Sequence, residues 1–424
     1  MRKILPLLTL VLVASTGAQA ASTTNNWKLC SAATDAKNYQ AGDLWALVAA
    51  QGSDGWLYGV QSFKPYDEPQ PFLAELKRFS AALKARGTDL VMVYIPPRAA
   101  SSSRHFDSTN PVFSAVDTNK LATSYSSFVK QINSAGIYSP DLLALQKSDK
   151  SEDDYFFARD HHWTPHAAQM TAHNITSYLK TRGTWSQLPT ASFKLQEKSM
   201  QNWGSYLTRV NTLCNLNIQP QNYQSLISVK EGEDLLGGED PKVVLVGTSN
   251  SFRNKGAEES FGAALRYEMQ RDVTNAGIEG GGPYSSIESY LLSDSFRTNP
   301  AKVLIWEMDS SYNLHYSLPQ LIPSVKGSCK APVQRLDGLP SQIRVTAPLR
   351  PNDYLMVSLS DSSIRSVPLQ VTNASGSTST MTLTHTPKST AGPIFYGEVQ
   401  TDVKEVKLSL PDSTGKVRID VCRG

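Results

Sequence analysis

The stretch KVVLVGTSNSF (residues 242–252) places an apolar run directly before a glycine and a cluster of small polar residues. A short apolar run bounded by turn residues is typical of a buried strand in a parallel sheet. In open α/β sheets, ligands bind at the carboxyl ends of the strands, and Ser249 follows this strand directly. Backbone N–H groups at the start of the next helix can face an oxyanion. The alternative is an ordinary serine that caps a helix, a position that serine favours.

The chain on both sides of this stretch alternates helical and strand patterns. Apolar residues recur with helical spacing from Phe72 to Leu83, and the apolar run DLVMVYIPP (residues 89–97) follows. Thr164 and Pro165 are typical of the first positions of a helix. Such alternation predicts a parallel sheet covered on both faces. Strands are expected at 89–97, 136–143 and 301–308. Two more are expected within 242–252, where the strand breaks into Gly-Thr-Ser, and within 272–282, where the strand enters a Gly-rich loop. Helices are expected at 72–83, 121–132, 164–182, 258–269 and 287–292, whereas residues 184–240 follow no clear pattern.

The pattern changes at about residue 326, where short β-rich segments separated by Pro, Gly, Ser and Asn begin. Seven such segments predict an antiparallel sandwich of roughly 100 residues. The segments are IRVTA, DYLMVSLSD, VPLQVTN, STMTLTHT, FYGEVQ, KEVKLSL and KVRIDV. We therefore expect an α/β parallel-sheet domain at 21–325 and an all-β sandwich domain at 326–424.

The first twenty residues, MRKILPLLTLVLVASTGAQA, have the form of a secretory signal peptide. Arg2 and Lys3 precede a short apolar run, and a small-residue cleavage site ends at Ala20. No later apolar stretch is long enough to span a bilayer, so we expect an exported chain that does not cross the membrane. Removal of the two basic residues lowers the net charge from +3 to +1, which argues against nucleic-acid binding.

Four cysteines, Cys30, Cys214, Cys329 and Cys422, are widely spaced along the chain. This spacing disagrees with a zinc ribbon, in which cysteines lie two to four residues apart. In an oxidising compartment, an even number of cysteines indicates disulfides, and three pairings are possible. We favour Cys30–Cys214 and Cys329–Cys422, which place one bridge in each half of the protein.

The stretch FFARDHHWTPHAAQ (residues 156–169) concentrates an aspartate and three histidines before a predicted helix. A nucleophilic serine needs a base and a group that orients the base. If this segment is extended, Asp160 and His162 point to the same face, so the carboxylate can hold the imidazole against Ser249. His161 then points away, as a solvated loop histidine. The alternative is a structural corner in which Asp160 caps the following helix.

A metal site is a further interpretation of the same histidines. His162, His166 and His173 share one helical face if residue 162 is helical, and Asp160 could complete a ligand set. Pro165, however, predicts that His162 precedes the helix. The chain also has no His-Glu-x-x-His motif here. We therefore expect no metal and no other cofactor.

The order of the elements is that of an SGNH-type hydrolase, except that the Asp/His block precedes the serine in the chain. GSDGWLYG (52–59), IPPR (95–98), DHHWTP (160–165), VGTSNS (246–251) and LIWEM (304–308) together resemble the alginate O-acetyltransferase family of AlgX and AlgJ. The resemblance covers nearly the whole chain after the signal peptide. It implies a circularly permuted SGNH-like domain joined to a C-terminal carbohydrate-binding module.

The resemblance also implies the roles of particular residues. The catalytic triad would be Asp160, His162 and Ser249, and each domain would contain one disulfide. The oxyanion would be held by the backbone N–H of Ser249, with Gly277 or Gly280 of NAGIEGGG as a second donor. The usual SGNH asparagine is missing from WEMDSSYN, where Tyr312 is the substitute donor.

The implied sugar-binding residues are Arg98 of IPPR and the C-terminal aromatics Tyr354, Phe395 and Tyr396. Residues 326–424 contain 12 Lys and Arg against 8 Asp and Glu, which suits an anionic polysaccharide. The alternative is a scaffold sandwich that binds no sugar, because a fold alone does not define a function.

The function that we predict is periplasmic O-acetylation of an exopolysaccharide, with alginate as the expected polymer, through an acetyl-serine intermediate. Water in place of the sugar hydroxyl would make the protein an acetyl esterase. A non-catalytic polysaccharide-binding scaffold is the other alternative. The resemblance implies partners in an exopolysaccharide biosynthesis complex, including a membrane-bound acyltransferase, and leaves the acetyl donor open.

Overall fold

The computed structural model describes residues 27–65, 71–151, 153–232, 242–252, 260–312 and 318–424. The predicted signal peptide at residues 1–20 lies outside these ranges. In the described ranges, the helices are α1 Ser31–Thr34, α2 Pro71–Ala85, α3 Arg98–Ser101, α4 Pro111–Ser114, α5 Thr118–Ser134, α6 Leu142–Ser148, α7 Pro165–Lys180, α8 Ser205–Cys214, α9 Ser260–Met269, α10 Ser285–Leu291, α11 Asp294–Thr298 and α12 Leu318–Lys326. No helix within these ranges combines the length and apolar character needed to cross a bilayer.

The strands of the described ranges fall into a parallel sheet, two sandwich sheets and two hairpins. In chain order they are β1 Val48–Gln51, β2 Leu57–Gly59, β3 Asp89–Ile95, β4 Ser192–Asn202, β5 Gln221–Glu231, β6 Val243–Val246, β7 Val273–Asn275, β8 Val303–Asp309, β9 Gln334–Gly338, β10 Arg344–Val345, β11 Tyr354–Leu359, β12 Ser366–Asn373, β13 Thr378–Thr384, β14 Ile394–Glu398, β15 Val403–Leu408 and β16 Val417–Cys422.

The parallel sheet has the strand order β3-β8-β6-β7. Strands β3, β8 and β6 are almost entirely buried, because each is a continuous apolar run of the kind that is covered on both faces. The edge strand β7 is only partly buried. The strand predicted at 136–143 is wrong apart from one parallel bridge between Tyr138 and Val91. Asp141 accepts a hydrogen bond from Ala144 N and so begins α6 at Leu142, which ends the extended segment.

Residues 184–240, which have no clear pattern in sequence, contain the long antiparallel hairpin of β4 and β5 with α8 between them. Most side chains along β4 are exposed, so the strand lacks the apolar alternation that marks a half-buried strand. Helix α8 begins beside the Asp160 segment, because Leu207 N donates to Arg159 O at 3.2 Å. The hairpin therefore delivers a helix N-terminus to the region of the predicted base.

The C-terminal domain consists of two four-stranded antiparallel sheets, β10-β15-β12-β13 and β14-β11-β16-β9. All seven predicted segments form strands, and β9 is an additional one. The sequence QRLDG of β9 is polar, which is why it gave no strand signal. The predicted fold class, an α/β parallel-sheet domain followed by an all-β sandwich, is confirmed. The boundary at 325/326 stays a prediction, and α12 ends at Lys326 before β9 begins at Gln334.

The predicted disulfide pairing is confirmed. Cys30 bonds to Cys214, which ties the N-terminal segment to the end of α8. Cys329 bonds to Cys422, which ties the segment after α12 to the last strand. Each bridge closes a long loop and thereby restricts the unfolded chain.

The sandwich packs against the α/β domain through the outer face of β14 and β11. The Arg78 guanidinium lies 2.6 Å from Glu398, whose side chain is fully buried. Arg297 donates to the Tyr396 hydroxyl at 3.1 Å, and the Tyr354 hydroxyl donates to Gly327 O at 3.0 Å. The contact is thus polar as well as apolar.

This packing overturns the prediction that Tyr354, Phe395 and Tyr396 bind carbohydrate. Their exposed fractions are 3%, 1% and 3%. Phe395 belongs to the core between the two sheets, whereas Tyr354 and Tyr396 form a separate apolar cluster at the domain contact. The prediction is wrong because both faces of this sheet are covered, so its outward-facing aromatic residues do not reach solvent.

Candidate active site

Ser249 lies in a turn just past the carboxyl end of β6, as the first stretch predicts. The side chain of Glu307 on β8, which is fully buried, accepts hydrogen bonds from this turn. Thr248 donates to this carboxylate from both its backbone N–H, at 2.9 Å, and its hydroxyl. Ser251 Oγ donates to it at 2.8 Å. Gly247 precedes the turn because a Cβ at this position would lie 2.5 Å from Glu307 Oε2.

The segment that carries the predicted base is a tight loop closed by an antiparallel bridge between Phe156 and Trp163. The extended conformation assumed for Asp160 to His162 is therefore wrong, because Phe157 N donates to His162 O across the loop. The indole N–H of Trp163 donates to Asn250 O at 2.9 Å. This bond joins the loop to the serine turn, and nothing in the sequence indicated it.

The structure brings the three predicted side chains together in one line of hydrogen bonds. His162 Nδ1 lies 2.9 Å from Asp160 Oδ1, and His162 Nε2 lies 2.8 Å from Ser249 Oγ. Asp160 is fully buried and His162 is nearly so. An imidazole in this position can remove a proton from the serine hydroxyl while the carboxylate fixes its tautomer and stabilises its charged form.

Asp160 is ionised in this arrangement. Burial by itself would raise its pKa, but the charge and hydrogen bonds of His162 and His161 outweigh burial and hold the pKa well below its usual value. Ser205, the first residue of α8, adds hydrogen bonds to the same oxygen from its hydroxyl, at 2.9 Å, and its backbone N–H, at 3.2 Å. The sequence analysis missed Ser205, because it belongs to no recognisable motif and lies 45 residues after Asp160 in the chain.

His161 does not point into solvent, contrary to the prediction. Its Nδ1 lies 2.7 Å from Ser205 Oγ, and its ring contacts the His162 ring with 3.7 Å between centroids. It lines the same cavity as Ser249. The loop turns back on itself, so successive side chains here do not alternate between two faces.

The alternative metal set of His162, His166 and His173 does not come together. His166 Nε2 lies 2.6 Å from Asp149, and His173 Nδ1 lies 3.0 Å from Glu268. Among the described residues, Asp160, His161 and His162 do place one potential ligand atom each within 4.8 Å of one another. Hydrogen bonds already account for this group, because Asp160 Oδ1 also accepts from Ser205 and from the His161 backbone.

A cavity of about 280 Å³ opens beside Ser249. His161, Trp45 and Tyr206 form part of its wall, and Asp309, Ser310 and Tyr312 form another part. Burial raises the pKa of Asp309 and also the pKa of the Tyr312 hydroxyl. The cavity thus offers aromatic rings and hydrogen-bonding groups beside one nucleophilic hydroxyl.

The structure does not support the two glycines as oxyanion donors. Gly277 N donates to Asn275 Oδ1 at 3.0 Å, and Asn275 in turn donates to Ser251 O, so this loop supports the serine turn. Gly280 lies beside Lys388 of the sandwich. Tyr312, the remaining predicted donor, lines the cavity.

Arg98 is buried, and its contact with sugar stays a prediction. It donates to Leu57 O at 3.1 Å and to the carbonyls of Phe157 and Ala158 at 2.7 and 2.8 Å. Aromatic rings pack on its guanidinium, Trp56 being closest at 4.8 Å. Arg98 also contributes to the cavity wall. Its Nη2 holds the loop that carries Asp160, and its Nη1 has no hydrogen-bond partner among the described residues.

We predict that Arg98→Met lowers the free energy of unfolding by about 3 kcal/mol or more, because hydrogen bonds to charged groups contribute roughly 1.5–3 kcal/mol each. Denaturant unfolding would measure this difference. Arg344→Met, at a side chain that is 61% exposed in an ion pair, should cost less than about 1 kcal/mol. Equal losses for the two variants would contradict the structural role of Arg98.

Glu307 makes stability depend on pH. Burial raises its pKa to about 7, although hydrogen bonds from Ser251 and Thr248 lower it, and nearby Asp309 raises it further. Between about pH 4.3, the usual value, and pH 7, the folded state holds a proton that the unfolded state has lost. The stabilisation is therefore complete at low pH and disappears as the pH rises through 7.

We predict that Glu307→Gln, which cannot ionise, loses less stability than the wild type between pH 4 and pH 8. A shift of this size in the pKa of Glu307 corresponds to a change of about 3 kcal/mol in the free energy of unfolding. Calorimetric melting temperatures across this range would measure it. Glu197→Gln, at an exposed position of β4, is the matched control and should keep the wild-type pH dependence. A Glu307→Gln curve parallel to that of the wild type would refute the prediction.

Comparison with known proteins agrees with this architecture. The family described as "SGNH hydrolase-like domain, acetyltransferase AlgX" matches residues 49–310, more than half of the chain. The alginate biosynthesis protein AlgX of Pseudomonas fluorescens is 29% identical over 362 residues, which cover 81% of this chain and 71% of the relative.

Two solved structures are similar in fold. AlgX of Pseudomonas aeruginosa superposes with a TM-score of 0.77 at 24% identity, covering 94% of this chain and 100% of that one. The O-acetyltransferase domain of Pseudomonas putida AlgJ has a TM-score of 0.52 at 26% identity, covering 66% of this chain and 98% of that one. The predicted resemblance is thus confirmed, and the chain belongs to the AlgX family of acetyltransferases with an SGNH hydrolase-like domain.

Proposed function

We propose that this chain is a periplasmic O-acetyltransferase that transfers acetyl groups to hydroxyls of an exopolysaccharide, with alginate as the polymer, through an acetyl-Ser249 intermediate. The observation that carries the proposal is the 2.8 Å contact between His162 Nε2 and Ser249 Oγ beside a cavity. The names of the relatives, an alginate biosynthesis protein and an O-acetyltransferase domain, support the acetyl group and the polymer.

In the first half-reaction, Ser249 Oγ attacks the carbonyl carbon of the acetyl donor while His162 takes the hydroxyl proton. Asp160 stabilises the imidazolium that forms. The tetrahedral intermediate then collapses, the bond to the donor's leaving group breaks, and His162 returns the proton to that group. Acetyl-Ser249 is left.

In the second half-reaction, His162 takes the proton of a sugar hydroxyl, whose oxygen attacks the acetyl carbonyl. The bond to Ser249 Oγ breaks, and the imidazolium protonates that oxygen. The backbone N–H of Ser249 makes no hydrogen bond to another described residue, so we assign it to the oxyanion. We assign the Tyr312 hydroxyl as the second donor. One such donor contributes about 3 kcal/mol in enzymes of this kind.

The proposed location rests on the signal-peptide pattern of residues 1–20 and on the two disulfides, which are typical of proteins outside the reducing cytoplasm. A membrane-bound acyltransferase that supplies acetyl groups and other proteins of a biosynthetic complex are the partners that we propose. An acetyl esterase is the second candidate, because Ser249 is half-buried and the triad itself does not distinguish a sugar hydroxyl from water.

The test is to incubate the mature protein with an acetyl ester and an oligouronate, and to follow acetylated sugar and free acetate by mass spectrometry. Acetylated sugar that forms in proportion to the oligouronate supports the transferase. Free acetate alone would make the protein an esterase. If neither product forms but the protein binds the oligouronate measurably, the result would indicate a non-catalytic polysaccharide-binding scaffold.

A further inference from the structure

Trp45 is an exposed aromatic side chain in the wall of the active-site cavity. Its exposed fraction is 46%, and it lines the cavity together with Ser249. Its indole meets the His161 ring edge-on with 4.9 Å between centroids. Trp45 precedes the part of the chain that the AlgX family matches, which begins at residue 49.

The segment that carries Trp45 is anchored on both sides of the indole. Asp43 lies 2.6 Å from Arg209 of α8, and Val60 N donates to Leu47 O at 2.9 Å. The Cys30–Cys214 disulfide ties the preceding residues to the end of the same helix. Because the backbone is held on both sides, an exposed ring here is ordered before a ligand arrives, which lowers the entropic cost of binding.

The other residues that line the cavity indicate the chemistry of the ligand. Ser310, Ser311 and Tyr312 supply hydroxyls, and Asp309 supplies a carboxyl group. A cavity that combines an exposed aromatic face with hydrogen-bonding groups suits a molecule that is apolar on its faces and polar at its edges, as a pyranose ring is. Arg98, which also lines the cavity, donates to backbone carbonyls through Nε and Nη2, whereas its Nη1 has no hydrogen-bond partner among the described residues.

We infer that Trp45 is the stacking platform on which the acceptor sugar lies, with the hydroxyl that receives the acetyl group directed at Ser249. This inference rests on the proposed function for the identity of the acceptor. It places the sugar-binding surface at the cavity mouth, on the N-terminal segment, and not on the buried aromatics of the sandwich.

The test measures binding without catalysis, in protein that carries Ser249→Ala. Oligouronates titrated into this protein by calorimetry should bind roughly tenfold more weakly when Trp45→Ala is added, as is typical for loss of a central tryptophan contact. The affinity of the Trp45→Phe variant, which keeps a smaller aromatic ring, should lie between the affinities of the protein with Trp45 and of the Trp45→Ala variant. Trp203→Ala is the matched control, because Trp203 is 53% exposed but does not line the cavity, and it should leave the affinity within about twofold.

Melting temperatures of the variants would show that each is folded. Equal affinities for the Trp45→Ala and Trp203→Ala proteins would overturn the inference, and so would the absence of oligosaccharide binding when Trp45 is intact. A different outcome is that oligouronate binding depends on Trp45 but the protein with Ser249 intact transfers no acetyl group. This outcome would support the stacking platform and refute the proposed reaction. The two failures are therefore distinguishable.

Discussion

Replacing Ser249 with alanine should lower kcat for acetyl transfer by roughly 10⁴- to 10⁶-fold, since loss of the nucleophile in a triad removes nearly all covalent catalysis. The substitution removes only the hydroxyl group from a line of three hydrogen-bonded side chains and leaves His162 and Asp160 unchanged. The melting temperature should change little, because Ser249 is half-buried. Intact mass after exposure to an acetyl ester should show one acetyl adduct in the wild type and none in the variant.

Ser251 is the matched control for this substitution. It lies in the same turn, but its hydroxyl donates to Glu307 and not to His162. The Ser251→Ala protein should therefore still form the adduct, and peptide mapping should locate the acetyl group on Ser249. An adduct on Ser251, or transfer by Ser249→Ala at a substantial fraction of the wild-type rate, would show that the nucleophile is assigned wrongly.

Replacing Asp160 with asparagine should lower kcat by roughly 10⁴-fold, the loss seen when the same change is made in a serine-protease triad. The carboxylate accepts hydrogen bonds from His162 and from Ser205. An amide at this position loses the negative charge that stabilises the imidazolium and does not fix the tautomer that leaves Nε2 free to accept a proton. The measurement is kcat and KM for acetyl transfer, together with the rate of acetyl-enzyme formation.

Asp154→Asn is the matched control for Asp160→Asn. Asp154 belongs to the same part of the chain and pairs with Arg104 and His105 instead of His162. Its kcat should stay within about threefold of the wild type, since surface ion pairs contribute little. Similar losses of kcat in both variants would indicate a general distortion of the loop, whereas substantial kcat in Asp160→Asn would exclude its role in orienting the base.

Much of the fold was predictable because its signals are local. The apolar runs of β3, β6 and β8 are continuous, so burial on both faces follows from the residues themselves. Thr164 begins α7 as predicted, with its side chain accepting from Ala167 N. By contrast, β4 is exposed along most of its length, and its pairing with β5 depends on the partner strand and not on a periodic pattern.

The residues of the candidate site also fall into a group that the sequence indicates and a group that it does not. Asp160, His162 and Ser249 follow from residue types and from the edge of the sheet at which they lie. Ser205, Glu307 and Trp45 carry no comparable signal, although a glutamate inside the apolar run LIWEM is unusual for a buried strand. These three residues acquire their roles only from neighbours that are distant in the chain.

By itself, the sequence indicated the two-part architecture and the three side chains of Asp160, His162 and Ser249, and it favoured one of three possible disulfide pairings. Only the tertiary structure decided that Tyr354 and Tyr396 are covered by the α/β domain, that Arg98 binds backbone carbonyls, and that Trp45 stands in the cavity wall. The physical reason is that periodicity, caps and turns act over a few residues. Burial and hydrogen-bond partners across domains, in contrast, depend on which surfaces meet once the whole chain has folded.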